Sequence, residues 1–230
     1  MNTSADHLLR ENFLNALSDY LFLLEKGYPQ KLILKMTGDK YALSGIQRIM
    51  LYRGVTLREN NADRQRKRAS EAMLTSQTIH IDALNTLITI GTYLTGQTVF
   101  MSTDCVLRDA SGMHGKTIRT EILHRALSLS LTYLVSQQPK EIIYYVDEQV
   151  SDSVRLNEAI LNHLSHSDLR GSSVLCSQVD AILSNTVSGI VATSDSTIID
   201  RSRVPFFDLP FHILQNMFQP DFIDLRRFLP

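Results

Sequence analysis

The sequence predicts an α/β fold, with a parallel sheet covered by helices on both faces and a small all-α N-terminal module. From Thr78 onward, short apolar runs alternate with segments of helical periodicity, which is typical of parallel strands joined by helices. The apolar runs carry few charges, as expected for strands that are covered on both faces. Before residue 70, apolar residues recur at helical spacing instead, which indicates a helical module.

The chain of 230 residues is long enough for one α/β domain and a smaller second one. We predict a helical module over residues 1–68 and an α/β domain over residues 75–230. Between Lys26 and Arg68 there are eleven basic and three acidic residues, whereas the part from Met73 onward has eleven basic and sixteen acidic residues. This asymmetry suggests that the basic N-terminal segment holds polyanions and that the acidic larger domain holds cations. Two solvated faces of opposite sign are the alternative.

The composition argues for a cytoplasmic protein without a membrane partner. No apolar run reaches the roughly 18 residues that span a bilayer, and the N-terminal residues lack the pattern of a secretion signal. The two cysteines, Cys105 and Cys176, lie far apart without the spacing of zinc ligands, and reduced thiols fit a cytosol. The sequence leaves open whether the chain forms a homodimer.

The helices of the module can be placed from periodicity and capping signals. Apolar spacing predicts an amphipathic helix over about residues 5–26, and Pro29 suits the first turn of a second, short helix. Residues 37–39, which include a glycine, are interpreted as a turn. Ser44 and Gln47 have capping-box spacing and open a third helix. Two helices joined by such a turn are the outline of a helix-turn-helix.

A helix-turn-helix would present basic side chains to a nucleic acid. The candidates for nucleic-acid contact in the module are Lys31, Lys35, Arg48 and Arg53. In the larger domain, His114 and Arg119 are candidates for phosphate contact. The alternative is a helical cap whose lysines are only solvated. The stretch 58–68 is interpreted as a basic linker or the start of an exposed helix.

Five strands with helices between them are predicted in the larger domain. The strands cover residues 78–82, 141–146, 172–176, 189–193 and 204–209. The helices cover residues 85–94, 117–136, 153–166, 179–183 and 210–217, and a hairpin is predicted around residues 103–104. A strand order of 3-2-1-4-5 makes the first, second and fourth strands neighbours.

Those three neighbouring strands each lead into an aspartate: Asp82, Asp147 and Asp195. Ligands of open parallel sheets bind outside the carboxyl ends of the strands, and carboxylates gathered there repel one another unless a divalent cation lies among them. Oxygen ligands suit Mg²⁺ or Mn²⁺, which can activate water and stabilise a phosphoryl transition state. The sequence therefore predicts a Mg²⁺ or Mn²⁺ site. The alternative is that these aspartates cap helices.

Two short motifs resemble the PIN-like nuclease superfamily, including its NYN branch. They are Ile79-His80-Ile81-Asp82-Ala83-Leu84-Asn85 and Ala192-Thr193-Ser194-Asp195-Ser196. Members of that superfamily end their first strand in Asp, commonly as Asp-Gly-x-Asn, and carry Ser-Asp-x-Asp after the fourth strand. The resemblance implies a 3-2-1-4-5 sheet and RNA cleavage dependent on Mg²⁺ or Mn²⁺. Ala83 and Thr197 depart from the pattern, since a glycine and a second acid are usual there.

Further polar residues are candidates around the three carboxylates. Asn85 could hold the first carboxylate or a metal-bound water, or could cap its own helix, and Asp200 could replace the missing second acid. The auxiliary candidates are Asp104, Asp109, Glu121 and Ser194. No Ser-His-Asp or Cys-His arrangement and no phosphate-binding glycine loop is visible in the sequence, which makes water the expected nucleophile.

The predicted function is a metal-dependent ribonuclease or phosphodiesterase that acts on RNA, with DNA as the alternative substrate. One rival function is a non-catalytic RNA- or partner-binding protein that keeps the fold. Another is a helix-turn-helix DNA-binding regulator whose acidic domain is a sensor. The whole chain also resembles a prokaryotic two-domain family of unknown function, through residues 25–29, 38–41, 47–48, 51–55 and 108–115.

Overall fold

The computed structural model describes residues 7–111 and 119–229, and their contacts divide them into two compact units. Unit 1 contains the described residues up to 65 together with 97–111 and 221–229, and unit 2 contains 66–96 and 119–220. The predicted division placed 97–112 and 221–230 in the larger domain. The contacts group the described residues of both segments with the helical module instead.

The elements follow in chain order. The helices are α1 Glu11–Glu25, α2 Gln30–Lys40, α3 Gly45–Gly54, α4 Arg58–Lys67, α5 Ala83–Leu94, α6 Thr120–Gln137, α7 Ser153–Ser165, α8 Val179–Ser184, α9 Ser196–Arg201 and α10 Leu209–Phe218. The strands are β1 Thr78–Asp82, β2 Val99–Met101, β3 Leu107–Asp109, β4 Glu141–Asp147, β5 Gly171–Cys176, β6 Ile190–Ala192, β7 Phe206–Phe207 and β8 Ile223–Asp224. None of the helices in the described ranges is long and apolar enough to cross a membrane.

The N-terminal region of unit 1 is helical, as predicted. Its helices bury one apolar core, which includes Phe13, Leu17, Tyr20, Met50 and Phe100. The predicted capping box is confirmed, since the Ser44 hydroxyl accepts a hydrogen bond from the Gln47 amide and the Gln47 side chain accepts one from the Ser44 amide. A hairpin of β2 and β3, also predicted, pairs with β8 in a three-stranded sheet.

The turn predicted at residues 37–39 is wrong, because these residues lie inside α2. Thr37 is buried, and its hydroxyl donates to the Ile33 carbonyl oxygen at 2.8 Å within the helix. Gly38 leaves room for the side chain of Arg48, since a Cβ at this position would lie 2.1 Å from Arg48 Nη1. The glycine therefore serves close packing, and the turn between α2 and α3 lies at residues 41–44 instead.

Unit 2 contains one all-parallel sheet with the strand order β5-β4-β1-β6-β7. When only the strands of this sheet are counted along the chain, the order is 3-2-1-4-5. The labels differ from this count because β2 and β3 belong to the other sheet. Helices flank the sheet, so the predicted α/β class is confirmed. Since the strands are parallel, β4, β1 and β6 deliver their carboxyl ends to the same edge.

Two histidines meet where α6 packs against α7. His124 Nδ1 and His163 Nε2 are 2.8 Å apart, and the two rings stack with centroids separated by 5.1 Å. One neutral ring donates to the other, because two charged imidazoles would both be donors. Burial lowers the pKa of His163, and the nearby His124 and His166 lower it further.

Acidification is therefore expected to destabilise the protein through His163. Its pKa is lower in the folded than in the unfolded chain, so the unfolded chain binds more protons as the pH falls through about 6.5, and the free energy of unfolding decreases. Urea unfolding at about pH 7.5 and about pH 5.5 measures this loss. A His163→Gln variant should lose less stability between the two pH values, and an equal loss in both proteins would contradict the assignment.

Candidate functional site

The candidate site lies at the carboxyl edge of the parallel sheet in unit 2. Asp82 is the last residue of β1, Asp147 is the last residue of β4, and Asp195 follows β6. Because β1 lies between β4 and β6, the three predicted carboxylates belong to adjacent strand ends. The sheet topology therefore brings the three carboxylates to one edge, as the predicted site requires.

Asp82 is almost buried, with 8% of its surface exposed. Its Oδ2 accepts a hydrogen bond from the Thr193 hydroxyl at 3.0 Å, and its Oδ1 accepts one from the Asn85 amide at 3.3 Å, which caps α5. Burial raises the pKa of Asp82 to about 7, and the carboxylates of Asp195 and Asp180 add to this effect against the two hydrogen bonds. The carboxyl group therefore changes charge near neutral pH.

Asn85 and Thr193 connect the ends of β1 and β6. The Asn85 side-chain oxygen accepts hydrogen bonds from the Ser194 amide at 2.9 Å and from the Ser194 hydroxyl at 2.8 Å. Thr193 Oγ1 donates to Asp82 and accepts from the Asp195 amide at 3.1 Å. The Asn85 side chain therefore holds Ser194 rather than the first carboxylate, and Thr193 fixes the distance between two acidic residues. Sequence reasoning did not single out Thr193.

Asp195 and Asp147 each use one oxygen for the backbone. Asp195 Oδ1 accepts from the amides of Thr197 at 2.7 Å and Ile198 at 3.3 Å, which caps α9 and leaves Oδ2 outside the cap. Asp147 Oδ1 accepts from the Gln149 amide at 2.9 Å. Both side chains are half-buried. Capping and ligand binding are compatible here, because a carboxylate has two oxygens and several lone pairs.

A fourth carboxylate, that of Asp180, joins the group and was missed by the sequence-based reasoning. It is exposed in the first turn of α8, after β5. Partial desolvation raises its pKa, as do the carboxylates of Asp195 and Asp147, while Arg201 opposes the shift. The sequence feature that could have identified Asp180 is its position four residues after Cys176, the last residue of β5. Asp82, Asp147 and Asp195 likewise lie at or just after the ends of β1, β4 and β6.

The donor chemistry fits a hard divalent cation, although the carboxylates are not gathered tightly. Within residues 7–111 and 119–229, no three His, Cys, Asp or Glu side chains lie close enough together to hold a metal ion. Mg²⁺ commonly keeps several waters and binds through one or two carboxylates. Asp195 together with Asp82, Asp147 or Asp180 could supply such a set, and all of these donors are oxygens.

The remaining described candidates in unit 2 make none of the hydrogen bonds given above. Asp200 is exposed at the end of α9, and its carbonyl oxygen accepts from Lys67 Nζ at 2.8 Å. Glu121 is exposed in the first turn of α6, and Arg119 is exposed just before that helix. His114 lies outside the described residues.

Several candidates belong to unit 1, where most of them form ion pairs. Asp104 is buried between Arg64 and Arg108, and Asp109 binds Arg53 at 2.7 Å. The carboxylate of each is thus neutralised by arginine, which removes the physical reason for a metal ligand there. Arg48 binds Asp39 at 2.8 Å. Lys31 and Lys35 are exposed on α2.

Comparisons with known proteins cover most of the chain. A family model described as "Domain of unknown function (DUF5616)" matches residues 71–211, and one described as "Protein of unknown function (DUF434)" matches residues 12–67. "Uncharacterized protein MJ0935" of Methanocaldococcus jannaschii is 29% identical over 191 residues, which cover 83% of this chain and 90% of that protein. No solved structure matches the chain. All four clustered aspartates lie within the stretch matched by the first family model.

Proposed function

Because the chain belongs to the family described as "Domain of unknown function (DUF5616)", whose description assigns no chemistry, we propose a function from its own residues: a ribonuclease or phosphodiesterase dependent on Mg²⁺ or Mn²⁺. The observation that carries this proposal is the convergence of Asp82, Asp147, Asp180 and Asp195 at the carboxyl edge of one parallel sheet. The choice of RNA as substrate follows from the resemblance of the strand-end motifs to PIN-like nucleases.

Electrostatics support a cation at this edge. The pKa of Asp82 and that of Asp180 are both raised, in part by neighbouring carboxylates. The negative charges of the four aspartates are therefore only partly compensated. Arg201 is the cation that opposes the shift of Asp180. A divalent ion among the carboxylates would relieve the repulsion, and it would activate water and stabilise charge on a phosphodiester.

The side chains have separate tasks in the proposed reaction. Asp195 and Asp147 would hold the cation and orient the water, while Thr193 and Asn85 keep the strand ends in register through the hydrogen bonds described above. The water oxygen forms a bond to phosphorus, and the bond from phosphorus to the leaving oxygen breaks. The proton of the water passes to a carboxylate and then to solvent, and the leaving oxygen takes up a proton from solvent.

One observation favours the non-catalytic rival, a protein that keeps the fold and binds RNA or another partner without cleavage. Asp82 and Asp195 are both N-cap residues, so a structural role explains each of them singly. Neither Asp147 nor Asp180 is an N-cap residue, although Asp147 Oδ1 accepts the Gln149 amide in the turn after β4. The catalytic reading accounts for all four and is the one we propose.

Metal binding tests the proposal directly. Calorimetric titration of Mn²⁺ into the wild-type protein should give binding in the micromolar to millimolar range, on the order expected for a site with few protein ligands. Asp195→Asn should abolish this binding, because the amide lacks the charge. Asp168→Asn is the matched control, since this exposed carboxylate precedes β5 and so lies toward the opposite edge of the sheet. Absence of Mn²⁺ and Mg²⁺ binding to the wild-type protein would refute the proposal.

A further inference from the structure

Unit 1 exposes a group of large apolar side chains around the turn between α1 and α2. Phe22, Tyr28, Leu32 and Met36 are 57%, 51%, 47% and 51% exposed. Phe22 and Tyr28 also line a groove of about 550 Å³ together with Lys26. Single exposed apolar residues are ordinary, but neighbouring ones around a groove are typical of an interaction surface.

The helical geometry of α2 places two lysines beside two of the exposed apolar side chains. At 100° per residue, Lys31, Lys35, Leu32 and Met36 occupy one sector of about 140°. Ile33 and Thr37, on the other side of the helix, are buried. The lysines therefore lie beside the apolar side chains, and α2 presents both to solvent. We call the set of Phe22, Lys26, Tyr28, Lys31 and Lys35 the aromatic-lysine surface.

The charge of this surface is uncompensated. Lys26 Nζ lies 5.5 Å from the centroid of the Phe22 ring, and no ion pair is formed by Lys26, Lys31 or Lys35 within residues 7–111 and 119–229. Several other basic side chains of unit 1 are paired: Lys40 with Asp19, Arg48 with Asp39, Arg53 with Asp109 and Arg58 with Glu25. Among the described residues, Lys26, Lys31 and Lys35 therefore leave unpaired positive charge in the same segment that exposes the aromatic rings.

We infer that the aromatic-lysine surface docks single-stranded RNA. Unpaired bases stack on exposed aromatic rings, and lysines beside the rings contact the phosphates. A duplex keeps its bases stacked within the helix and cannot use the rings, and a purely apolar protein partner would leave the lysines uncompensated. The choice of RNA over DNA rests on the proposed function, whereas the stacking and charge arguments do not.

Binding of a labelled RNA oligonucleotide, followed by fluorescence anisotropy, tests this inference. The full chain carries Asp195→Asn in every sample, so that cleavage does not consume the probe. Phe22→Ala and Tyr28→Ala should each weaken binding by about five-fold to a hundred-fold, the range expected for one stacked base. Both side chains are exposed, so the fold is retained. Phe218→Ala, which removes a 37% exposed ring from unit 2, is the control and should leave the affinity unchanged.

The salt dependence tests the lysines separately. Lys31→Glu and Lys35→Glu should each make the slope of log affinity against log salt shallower by about 0.7, the value for one lost single-strand phosphate contact. Lys140→Glu changes the charge of unit 2 by the same amount at an exposed position and should leave the slope unchanged.

The competing explanations give different results. Equal affinity for a duplex of the same sequence would overturn single-strand docking, and equal affinity for single-stranded DNA would overturn the choice of RNA. A dimer that dissociates in Phe22→Ala, without an effect on RNA binding, would assign the surface to a second copy of the chain. If wild type cleaves no RNA but Phe22→Ala still loses binding, the docking surface stands while the ribonuclease proposal fails.

Discussion

Replacing Asp104 by alanine is expected to lower the free energy of unfolding by about 3–5 kcal/mol, the usual cost of removing one partner of a buried ion pair. Asp104 is fully buried, and its Oδ2 binds Arg64 Nη1 at 2.6 Å and Arg108 Nη2 at 2.7 Å. Both arginines are themselves buried. The substitution would remove the anion that these two guanidinium groups share, and their mutual repulsion would remain in a region of low dielectric.

The charge state of Asp104 explains why the effect is large. Burial by itself would raise its pKa, but the guanidinium groups of Arg108 and Arg64 outweigh burial and hold the pKa below its usual range. A carboxyl group with a depressed pKa stabilises the fold above its unfolded pKa and loses this contribution as the pH falls toward the native value. The wild-type protein should therefore lose stability in acid through Asp104, and Asp104→Ala should lack this component.

Equilibrium urea unfolding followed by circular dichroism measures the change. Asp19→Ala is the matched control, since the Asp19 and Lys40 side chains are 42% and 62% exposed, and losing their ion pair together with the hydrogen bond from the Tyr41 hydroxyl should cost less than about 2 kcal/mol. The two substitutions delete the same side chain from the same unit. If Asp104→Ala cost no more than Asp19→Ala, the buried ion pairs would not stabilise unit 1.

The sheet and its acidic edge could be predicted because their signals are local. A strand buried on both faces needs an uncharged apolar run, and Asp82, Asp147 and Asp195 stand where such runs end. The strand order then follows from a few topological rules. Asp180 follows the same logic but is reached through a less apolar strand, β5, which has no fully buried residue. Only the folded chain brings its carboxylate near enough to those of Asp195 and Asp147 for them to raise its pKa.

The roles of the charged residues of unit 1 could not be predicted, because their partners are distant in sequence. Asp104 is an acid between two apolar runs, a pattern that fits an auxiliary metal ligand equally well until Arg64, forty residues earlier, is placed beside it. Arg53 likewise binds Asp109 across 56 residues. The sequence predicts a turn at Gly38, since it does not reveal that this glycine serves the packing of Arg48.

Under the proposed function, Asp195→Asn and Asp147→Asn are each expected to reduce RNA cleavage by on the order of a hundredfold or more, as expected when a charge that holds a catalytic cation is lost. Asparagine keeps the shape of aspartate and is an equally good N-cap residue. The Asp195→Asn variant can therefore still accept the amides of Thr197 and Ile198 and cap α9. If Asp195 served only as a cap, this substitution should change neither stability nor activity by much.

Cleavage of a labelled RNA in Mg²⁺ or Mn²⁺, with and without a chelator, measures the effect, and Asp168→Asn controls for the loss of a carboxylate elsewhere on unit 2. The variants also guard against a contaminating nuclease, because cleavage that persists unchanged in Asp195→Asn and Asp147→Asn cannot come from the strand-end carboxylates. Unfolding curves for the same variants complete the separation. Unchanged stability with lost cleavage assigns the carboxylates to catalysis, whereas unchanged stability with unchanged cleavage would leave Asp195 as an N-cap alone.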